Sequence, residues 1–212
     1  MKLRSYISMF TSPYYWKIMR QGEGEKDAKF YDTVVDHLDV YSKHYTEVFY
    51  YFLWAVLADR LVRDGVKNVL DVGCGTGQVA ALLHDKGIES YHGLDFSQKR
   101  IEMARVACPE YQFSHADAFT TDLFETVDYD TVISLEFLEH VDHDTDALKR
   151  IRPGTRFYGT VPNFPNISHV RHFKSCEEVE ARYAPFFDDF RVDSFLRDTK
   201  GIEFFLMQGI KR

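Results

Sequence analysis

Residues 69–77 read VLDVGCGTG, in which an apolar run with one aspartate ends on three alternating glycines. The run before the glycines has the length and composition of a buried β-strand, and a helical pattern begins directly after them. A glycine at such a turn lets the backbone approach a ligand closely because it has no Cβ atom. The stretch therefore predicts a strand, a ligand-binding turn and a helix, in that order.

The residues after the third glycine distinguish this turn from two other glycine-rich motifs. A phosphate-binding P-loop requires a lysine followed by serine or threonine, whereas Gln78 and Val79 follow here. The dinucleotide-binding fingerprint requires glycine or alanine at the position of Gln78. Both alternatives therefore fail at a named residue.

Short β-rich segments alternate with helical segments between residues 68 and 161. This alternation is typical of βαβ units, which build a parallel sheet with helices on both faces. The last two β-rich segments, Phe190–Leu196 and Ile202–Ile210, have no helix between them, so we expect them to pair antiparallel at one end of the sheet. Upstream, helical spacing predicts helices over Ala28–Leu38 and Ser42–Val62.

Two further acidic residues follow strands that the pattern predicts beside the glycine turn. Asp95 ends the second strand, where a carboxylate in an open α/β sheet accepts hydrogen bonds from ribose hydroxyls. Asp117 follows the third strand and is placed to bind an adenine amino group, with Ala118 and Phe119 against the ring. Together with Asp71, and with no phosphate-binding lysine, these residues describe a nucleoside that carries an amino acid rather than a polyphosphate.

These motifs resemble the successive cofactor motifs of class I S-adenosylmethionine-dependent methyltransferases, over roughly residues 66–212. The resemblance implies an α/β fold with a Rossmann-like, seven-stranded, mostly parallel sheet in the order 3-2-1-4-5-7-6, the last strand being antiparallel. It implies that the protein is an enzyme and that S-adenosyl-L-methionine is its cofactor. The cofactor contacts that it implies are Asp71, Gly73, Gly75, Gly77, Asp95, Phe96, Asp117, Ala118 and Leu135.

We expect a single methyltransferase domain over residues 1–212, because a chain of this length normally builds one compact core. Residues 65–212 would form the cofactor-binding core, and residues 1–64 a helical cap that excludes water and stabilises a sulfonium cation with aromatic rings. The aromatic residues considered for the cap are Tyr14, Tyr15, Trp16, Phe30, Tyr31, Tyr41 and Tyr45. Of these, Tyr31 and Tyr45 are the candidates for contact with the substrate.

Glu136, Glu139 and His140 follow the fourth predicted strand, on the side of the sheet edge where the substrate binds. On a helical turn their spacing places all three side chains on one face. The imidazole of His140 titrates near neutral pH and would act as a general base oriented by a glutamate. We therefore assign these three residues as catalytic, and we assign no metal ligand.

Two alternatives remain open for this segment. It resembles the metal-binding segment of the O-methyltransferases of quinone biosynthesis and of small-RNA 3′ ends, which would make the three side chains ligands of a divalent cation. In a purely structural interpretation, the carboxylates favour the start of a helix and His140 is partly buried.

His169, Arg171, His172 and Lys174 form a basic stretch in an acidic protein. If these residues face the cleft, they predict an anionic group on the substrate, with Arg171 as its bidentate partner. We assign His169, Arg171 and His172 as substrate-binding residues on this basis. The alternative is a solvated loop.

Composition restricts the partners and the compartment. The formal net charge of −7 argues against nucleic acid as a partner. Three cysteines without paired spacing argue for a reducing cytoplasm, and no apolar stretch reaches a membrane-spanning length. We predict methyl transfer to an oxygen or nitrogen of a small metabolite, anionic or neutral. The alternatives are a nucleic-acid methyltransferase and a non-catalytic S-adenosylmethionine-binding module.

Overall fold

The computed structural model describes residues 22–212; the predicted cap residues Tyr14, Tyr15 and Trp16 lie outside the described residues. The described chain forms a seven-stranded sheet in the order β3-β2-β1-β4-β5-β7-β6, which confirms the predicted topology. The strands are β1 (Asn68–Val72), β2 (Ser90–Asp95), β3 (Gln112–His115), β4 (Thr131–Leu135), β5 (Arg156–Pro162), β6 (Phe187–Leu196) and β7 (Glu203–Lys211).

Helices lie before the sheet and between its strands. They are α1 (Ala28–His37), α2 (Tyr51–Arg63), α3 (Gln78–Asp85), α4 (Gln98–Ala107), α5 (Leu123–Thr126), α6 (Asp144–Lys149) and α7 (Cys176–Tyr183). Short 3-10 turns cover Asp39–Ser42, Tyr45–Glu47, Leu138–His140 and Ala184–Phe186. Within residues 22–212, no helix combines the length and the apolar character that crossing a membrane requires.

The first five strands run parallel, because each is joined to the next by a crossover segment. β7 is inserted between β5 and β6 and pairs antiparallel with both. Leu70, Val132 and Phe157, from three neighbouring strands, are fully buried, as expected for a sheet with packing on both faces. The carboxyl ends of β1, β2 and β4 therefore meet at one edge of the sheet, where ligands bind in open α/β folds.

The region between α1 and α2 differs from the prediction. The single helix expected over Ser42–Val62 is wrong, since regular helix begins only at Tyr51. The side-chain amide of Gln78 donates hydrogen bonds to the carbonyl oxygens of Val40 (2.9 Å) and Lys43 (2.7 Å). Through these bonds the segment contacts the first residue of α3, and the 3-10 turn over Tyr45–Glu47 stands where the first part of the helix was expected.

Candidate active site

The glycine turn joins β1 to α3, and its three glycines have different steric surroundings. Gly75 has a φ of +57°, and no atom lies within 4 Å of the position of an added Cβ, so this side of the turn is open. A Cβ at Gly73 would lie 2.7 Å from the Phe137 ring, and one at Gly77 would lie 2.8 Å from the backbone of Ala104. Gly75 therefore leaves space for a ligand, whereas the other two glycines permit close packing of the protein itself.

Asp95 lies at the end of β2 and faces the glycine turn. Its carboxylate accepts hydrogen bonds from the backbone amides of Gly75 (3.1 Å) and Ser97 (2.8 Å). Burial raises the pKa of this carboxyl, and the nearby Arg100 guanidinium opposes that shift. Each carboxylate oxygen offers more than one acceptor site, so Asp95 retains acceptor capacity for ligand hydroxyls.

Asp71 lies beneath the turn, in β1. Its Oδ2 atom accepts a hydrogen bond from the Tyr91 hydroxyl at 2.5 Å, and its Oδ1 atom is buried without a partner. Burial raises the pKa of Asp71 to about 7, although the bond from Tyr91 opposes this. The side chain is almost wholly buried, so its described contact supports the turn from below.

The adenine end of the predicted site is more open. Asp117 is exposed, and its carboxylate accepts a hydrogen bond from the amide of Phe119 at 2.8 Å. Ala118 is buried, while Phe96 and Leu135 are half-buried at the ends of β2 and β4. These residues leave one exposed carboxylate beside partly exposed apolar surface, which suits a heteroaromatic ring with an amino group.

The segment after β4 does not form the regular helical turn that the sequence predicts. Glu136 has a φ of +51°, and its amide donates to the Thr160 hydroxyl at 3.0 Å, so the chain bends sharply before a 3-10 turn over Leu138–His140. Burial raises the pKa of both Glu136 and Glu139, and repulsion from Glu136 raises that of Glu139 further. Both Glu139 oxygens and Glu136 Oε1 are buried without a hydrogen-bond partner.

His140 and His169 lie beside this pair of carboxyl groups. Their Nδ1 atoms lie 2.9 Å from the Ser168 carbonyl oxygen and 3.0 Å from the Phe164 carbonyl oxygen. Since a carbonyl oxygen only accepts, each Nδ1 carries the proton and each neutral ring leaves its Nε2 lone pair free. Burial lowers the pKa of His140 to about 3 and that of His169 to about 4, so both rings are neutral near pH 7.

Glu139, His140 and His169 each place one ligand atom within 4.8 Å of the others. His140 Nε2 lies 3.7 Å from Glu139 Oε1, and the two imidazole rings are 4.8 Å apart. Free Nε2 atoms with Nδ1 held by a carbonyl are the usual arrangement of metal-binding histidines. The sequence assigned His169 to the substrate; the structure places it with the two catalytic candidates, and we call these three residues the carboxylate–histidine cluster.

Tyr31, on α1, packs between the two halves of the site. Its ring lies 5.5 Å from that of Phe96 and makes an edge contact with His140 at 5.9 Å. Burial raises the pKa of the Tyr31 hydroxyl well above its usual value. The helix before the sheet therefore covers both the cofactor side and the carboxylate–histidine cluster.

Three residues assigned to the substrate lie elsewhere. Tyr45 is buried, and its hydroxyl donates to Asp85 at the far end of α3 at 2.5 Å. Arg171 donates hydrogen bonds to the carbonyl oxygens of Leu138, Val141 and Asp142, so it does not face the cleft as an anion ligand. His172 is exposed and lines an open groove beside α7.

Arg100 lies beside Asp95, and the sequence analysis did not single it out. Its guanidinium lies 3.9 Å from Asp95 and 4.5 Å from the centre of the Tyr31 ring. Arg100 occupies the same helical face as Ile101 and Ala104, both fully buried. A charged residue on an otherwise buried face is the signal that would have identified it.

Comparisons with known proteins agree with this geometry. A family model described as a methyltransferase domain matches residues 69–156. An O-methyltransferase of Pyrenophora dematioidea is 33% identical over 108 residues, which are 46% of this chain and 40% of that protein. The O-methyltransferase cnsE of Penicillium expansum is 30% identical over 153 residues, covering 63% of this chain and 52% of that protein. The chain thus spans about half, or less, of the length of these curated relatives.

Among solved structures, the Burkholderia thailandensis 1,6-didemethyltoxoflavin-N1-methyltransferase shares the fold. It superposes with a TM-score of 0.63 at 20% sequence identity, covering 95% of this chain and 91% of that chain. Its structure contains 1,6-didemethyltoxoflavin and S-adenosylhomocysteine.

Proposed function

Because residues 69–156 form a methyltransferase domain of the class I S-adenosylmethionine-dependent type, we propose that this protein transfers a methyl group from S-adenosyl-L-methionine to an oxygen or nitrogen of a small molecule. One observation carries the proposal. The open glycine turn with Asp95 and the buried carboxylate–histidine cluster lie at the same edge of the sheet, and Tyr31 contacts both sides. A methyl donor and an acceptor bound there would meet beneath α1.

The residues of the turn fit S-adenosylmethionine in shape and chemistry. Space beside Gly75 admits the cofactor, Asp95 has acceptor sites for ribose hydroxyls, and Asp117 presents an exposed carboxylate to an adenine amino group. The sulfonium of this cofactor is already an activated methyl donor. The protein therefore contributes mainly by positioning the two reactants and excluding water.

We also propose that the carboxylate–histidine cluster holds a divalent cation, which favours a hydroxyl oxygen as the acceptor. Glu139 has two buried oxygens without partners, and His140 and His169 present free Nε2 atoms to it. An uncompensated carboxylate is costly to bury, and a cation would satisfy it. Such a cation would lower the pKa of a bound hydroxyl, while Glu136 stands beside Glu139 to accept a proton.

We propose that α1 and the 3-10 turns after it act as a cap over residues 65–212, within one domain. Phe30, Tyr31 and Val34 form a buried apolar cluster on α1, and the partly buried Tyr41 and Phe96 pack against it. Closure of such a cap would exclude water from the sulfonium. The three cysteines are free, which is compatible with a cytoplasmic setting.

The cofactor proposal is tested by calorimetric titration of S-adenosylhomocysteine into the wild type and the Gly75→Val variant. A branched side chain at a φ of +57° would both strain the turn and fill the open space. We expect binding to the wild type and a loss of at least about tenfold in affinity for the variant, which is about 1.4 kcal/mol. A wild-type protein that binds neither S-adenosylhomocysteine nor S-adenosylmethionine would overturn the proposal.

The cation proposal is tested by titrating Mn²⁺ and following the free ion by electron paramagnetic resonance. His169→Ala removes a proposed ligand, and His172→Ala makes the same change at an exposed position of the same loop. We expect His169→Ala to lower Mn²⁺ affinity by roughly tenfold or more and His172→Ala to leave it unchanged. Equal affinities in all three proteins would contradict the assignment.

A further inference from the structure

A largely buried guanidinium, to which residues 22–212 offer no hydrogen-bond acceptor, lies beside the glycine turn. The side chain of Arg100, in the first turn of α4, is 14% exposed, and its Nε atom is fully buried without a partner. Its Nη1 atom lies 3.9 Å from Asp95 Oδ2, too far for a direct hydrogen bond. Among the described residues, none accepts a hydrogen bond from this guanidinium.

Aromatic rings provide the other contacts of Arg100. Its Cζ atom lies 4.5 Å from the centre of the Tyr31 ring and 5.4 Å from that of the Tyr41 ring. Such cation–π contacts stabilise the charge but accept no hydrogen bond in the plane of the guanidinium, so the buried Nε–H has no acceptor among the described residues. Buried donors without acceptors are costly, so this arrangement suits a ligand that supplies the acceptors.

The two charged neighbours, Arg100 and Asp95, restrict the chemistry of that ligand. A group that bridges both must accept a hydrogen bond from the guanidinium and donate one to the carboxylate. A hydroxyl group does both at once, whereas a carbonyl or a second carboxylate does only the first. Asp95 already accepts the amides of Gly75 and Ser97, which fixes its orientation toward such a hydroxyl.

We propose that Arg100 is a cofactor-binding residue that donates to the ribose hydroxyls held by Asp95, an inference that rests on the proposed function. The same guanidinium contacts the rings of Tyr31 and Tyr41, which belong to the cap. Ribose binding would therefore fix the position of the Arg100 side chain against which these two rings pack. The cap contacts α4 at two other places, where the Ser97 hydroxyl donates to Asp32 at 2.5 Å and Lys99 pairs with Asp36. Cofactor occupancy and cap closure are therefore coupled through α4.

The test measures S-adenosylhomocysteine affinity by calorimetry for the wild type and for Arg100→Gln, using both the normal ligand and analogues that lack the ribose 2′- or 3′-hydroxyl. Arg105→Gln is the matched control, since Arg105 lies on the same helix but donates to the Phe113 carbonyl oxygen. We expect Arg100→Gln to weaken binding of the normal ligand by on the order of tenfold, as for hydrogen bonds to a charged group. One of the two deoxy analogues should bind the wild type about as weakly as the normal ligand binds Arg100→Gln. Removal of that same hydroxyl should cause little further loss of affinity in Arg100→Gln.

A second measurement addresses the cap. Hydrogen exchange of residues 28–42 should slow when S-adenosylhomocysteine binds the wild type, and this slowing should be much smaller in Arg100→Gln. Arg100→Lys keeps the charge but not the planar fork, and should fall between the two in affinity. If Arg100→Gln misfolds, Arg100→Lys alone still decides the question through the deoxy analogues.

Three outcomes would overturn the inference. The first is that Arg100→Gln binds S-adenosylhomocysteine as tightly as the wild type does. The second is additivity: the loss of affinity caused by Arg100→Gln would be the same for the normal ligand and for both deoxy analogues. The third is an equal effect of Arg105→Gln. These outcomes are distinct from failure of the proposed function, in which the wild type itself would not bind S-adenosylhomocysteine.

Discussion

Arg171 is held by Asp144, whose fully buried carboxylate lies 3.3 Å from the guanidinium. The same carboxylate accepts two hydrogen bonds from Arg182, at 2.6 and 2.8 Å, and one from the Tyr183 hydroxyl at 2.8 Å. Arg171 in turn donates to the carbonyl oxygens of Leu138 and Val141, on either side of Glu139 and His140. The basic loop thus holds the segment that contains two of the proposed site residues, Glu139 and His140.

This network predicts that Asp144→Asn lowers stability strongly. Removing the charge leaves the guanidinium groups of Arg171 and Arg182 without their buried anionic partner. The free energy of unfolding should fall by about 3 kcal/mol. This value is at the low end for a broken buried ion pair because Arg182 is partly exposed. Denaturant unfolding monitored by circular dichroism measures the effect. Asp146→Asn, an exposed position on the same helix paired with Lys149, should change stability by less than about 1 kcal/mol. Equal effects of the two substitutions would argue against the network.

Glu139→Gln should stabilise the protein without added metal while removing cation binding. Burial, and then repulsion from Glu136, raise the pKa of Glu139, so folding at neutral pH has to protonate this carboxyl group; a neutral amide avoids that cost and can donate to Glu136. We expect a gain of about 1 kcal/mol in the free energy of unfolding in chelator, as for other destabilised functional sites. Mn²⁺ should then raise the melting temperature of the wild type only. A loss of stability in chelator would show that the carboxylate is satisfied within the protein.

Asp71 predicts a pH dependence of stability. Burial raises its folded-state pKa to about 7, above the value of 3.8 expected in the unfolded chain, so the fold favours the protonated form. Its stabilising contribution is complete below about pH 4 and is lost as the pH rises through 7. Asp71→Asn keeps an acceptor for Tyr91 and does not titrate. Its stability relative to the wild type should therefore increase between pH 5 and pH 8 in urea unfolding, and a constant difference would contradict the assignment.

Tyr45→Phe should separate packing from function. Within residues 22–212, the bond of the Tyr45 hydroxyl is to Asp85, at the end of α3 remote from the glycine turn. Loss of this one bond should lower stability by about 1 kcal/mol. The affinity for S-adenosylhomocysteine should remain that of the wild type in calorimetry. A large loss of affinity for S-adenosylhomocysteine would show that Tyr45 contributes to the binding site after all.

The centre of the sheet could be predicted because β1, β4 and β5 are buried along most of their length. β1 is an apolar run that ends at the glycine turn, and the alternation of such runs with helical segments indicated the parallel order of the first five strands. The first part of the helix expected over Ser42–Val62 is wrong; the bond from Gln78 to the Lys43 carbonyl oxygen is a tertiary contact there, and such contacts leave no periodic signal in the sequence.

The site was predictable where a motif is local. Gly75 and Asp95 were found from spacing after strands, and the structure brings them within one hydrogen bond. The partnership of His140 with His169 depends on how the loop after β5 folds back, with Val170 donating to the Glu139 carbonyl oxygen at 2.8 Å. Neither composition nor periodicity contains that information.

The position of β7 between β5 and β6 has a consequence for folding during synthesis. β5 lies along the middle of the finished sheet, yet its outer edge pairs only with residues 204–210. Until the ribosome has released that segment, the nascent chain presents an unpaired, apolar strand edge that can join other chains. A pause in translation before residue 203 would therefore prolong the interval in which the edge of β5 is open to aggregation.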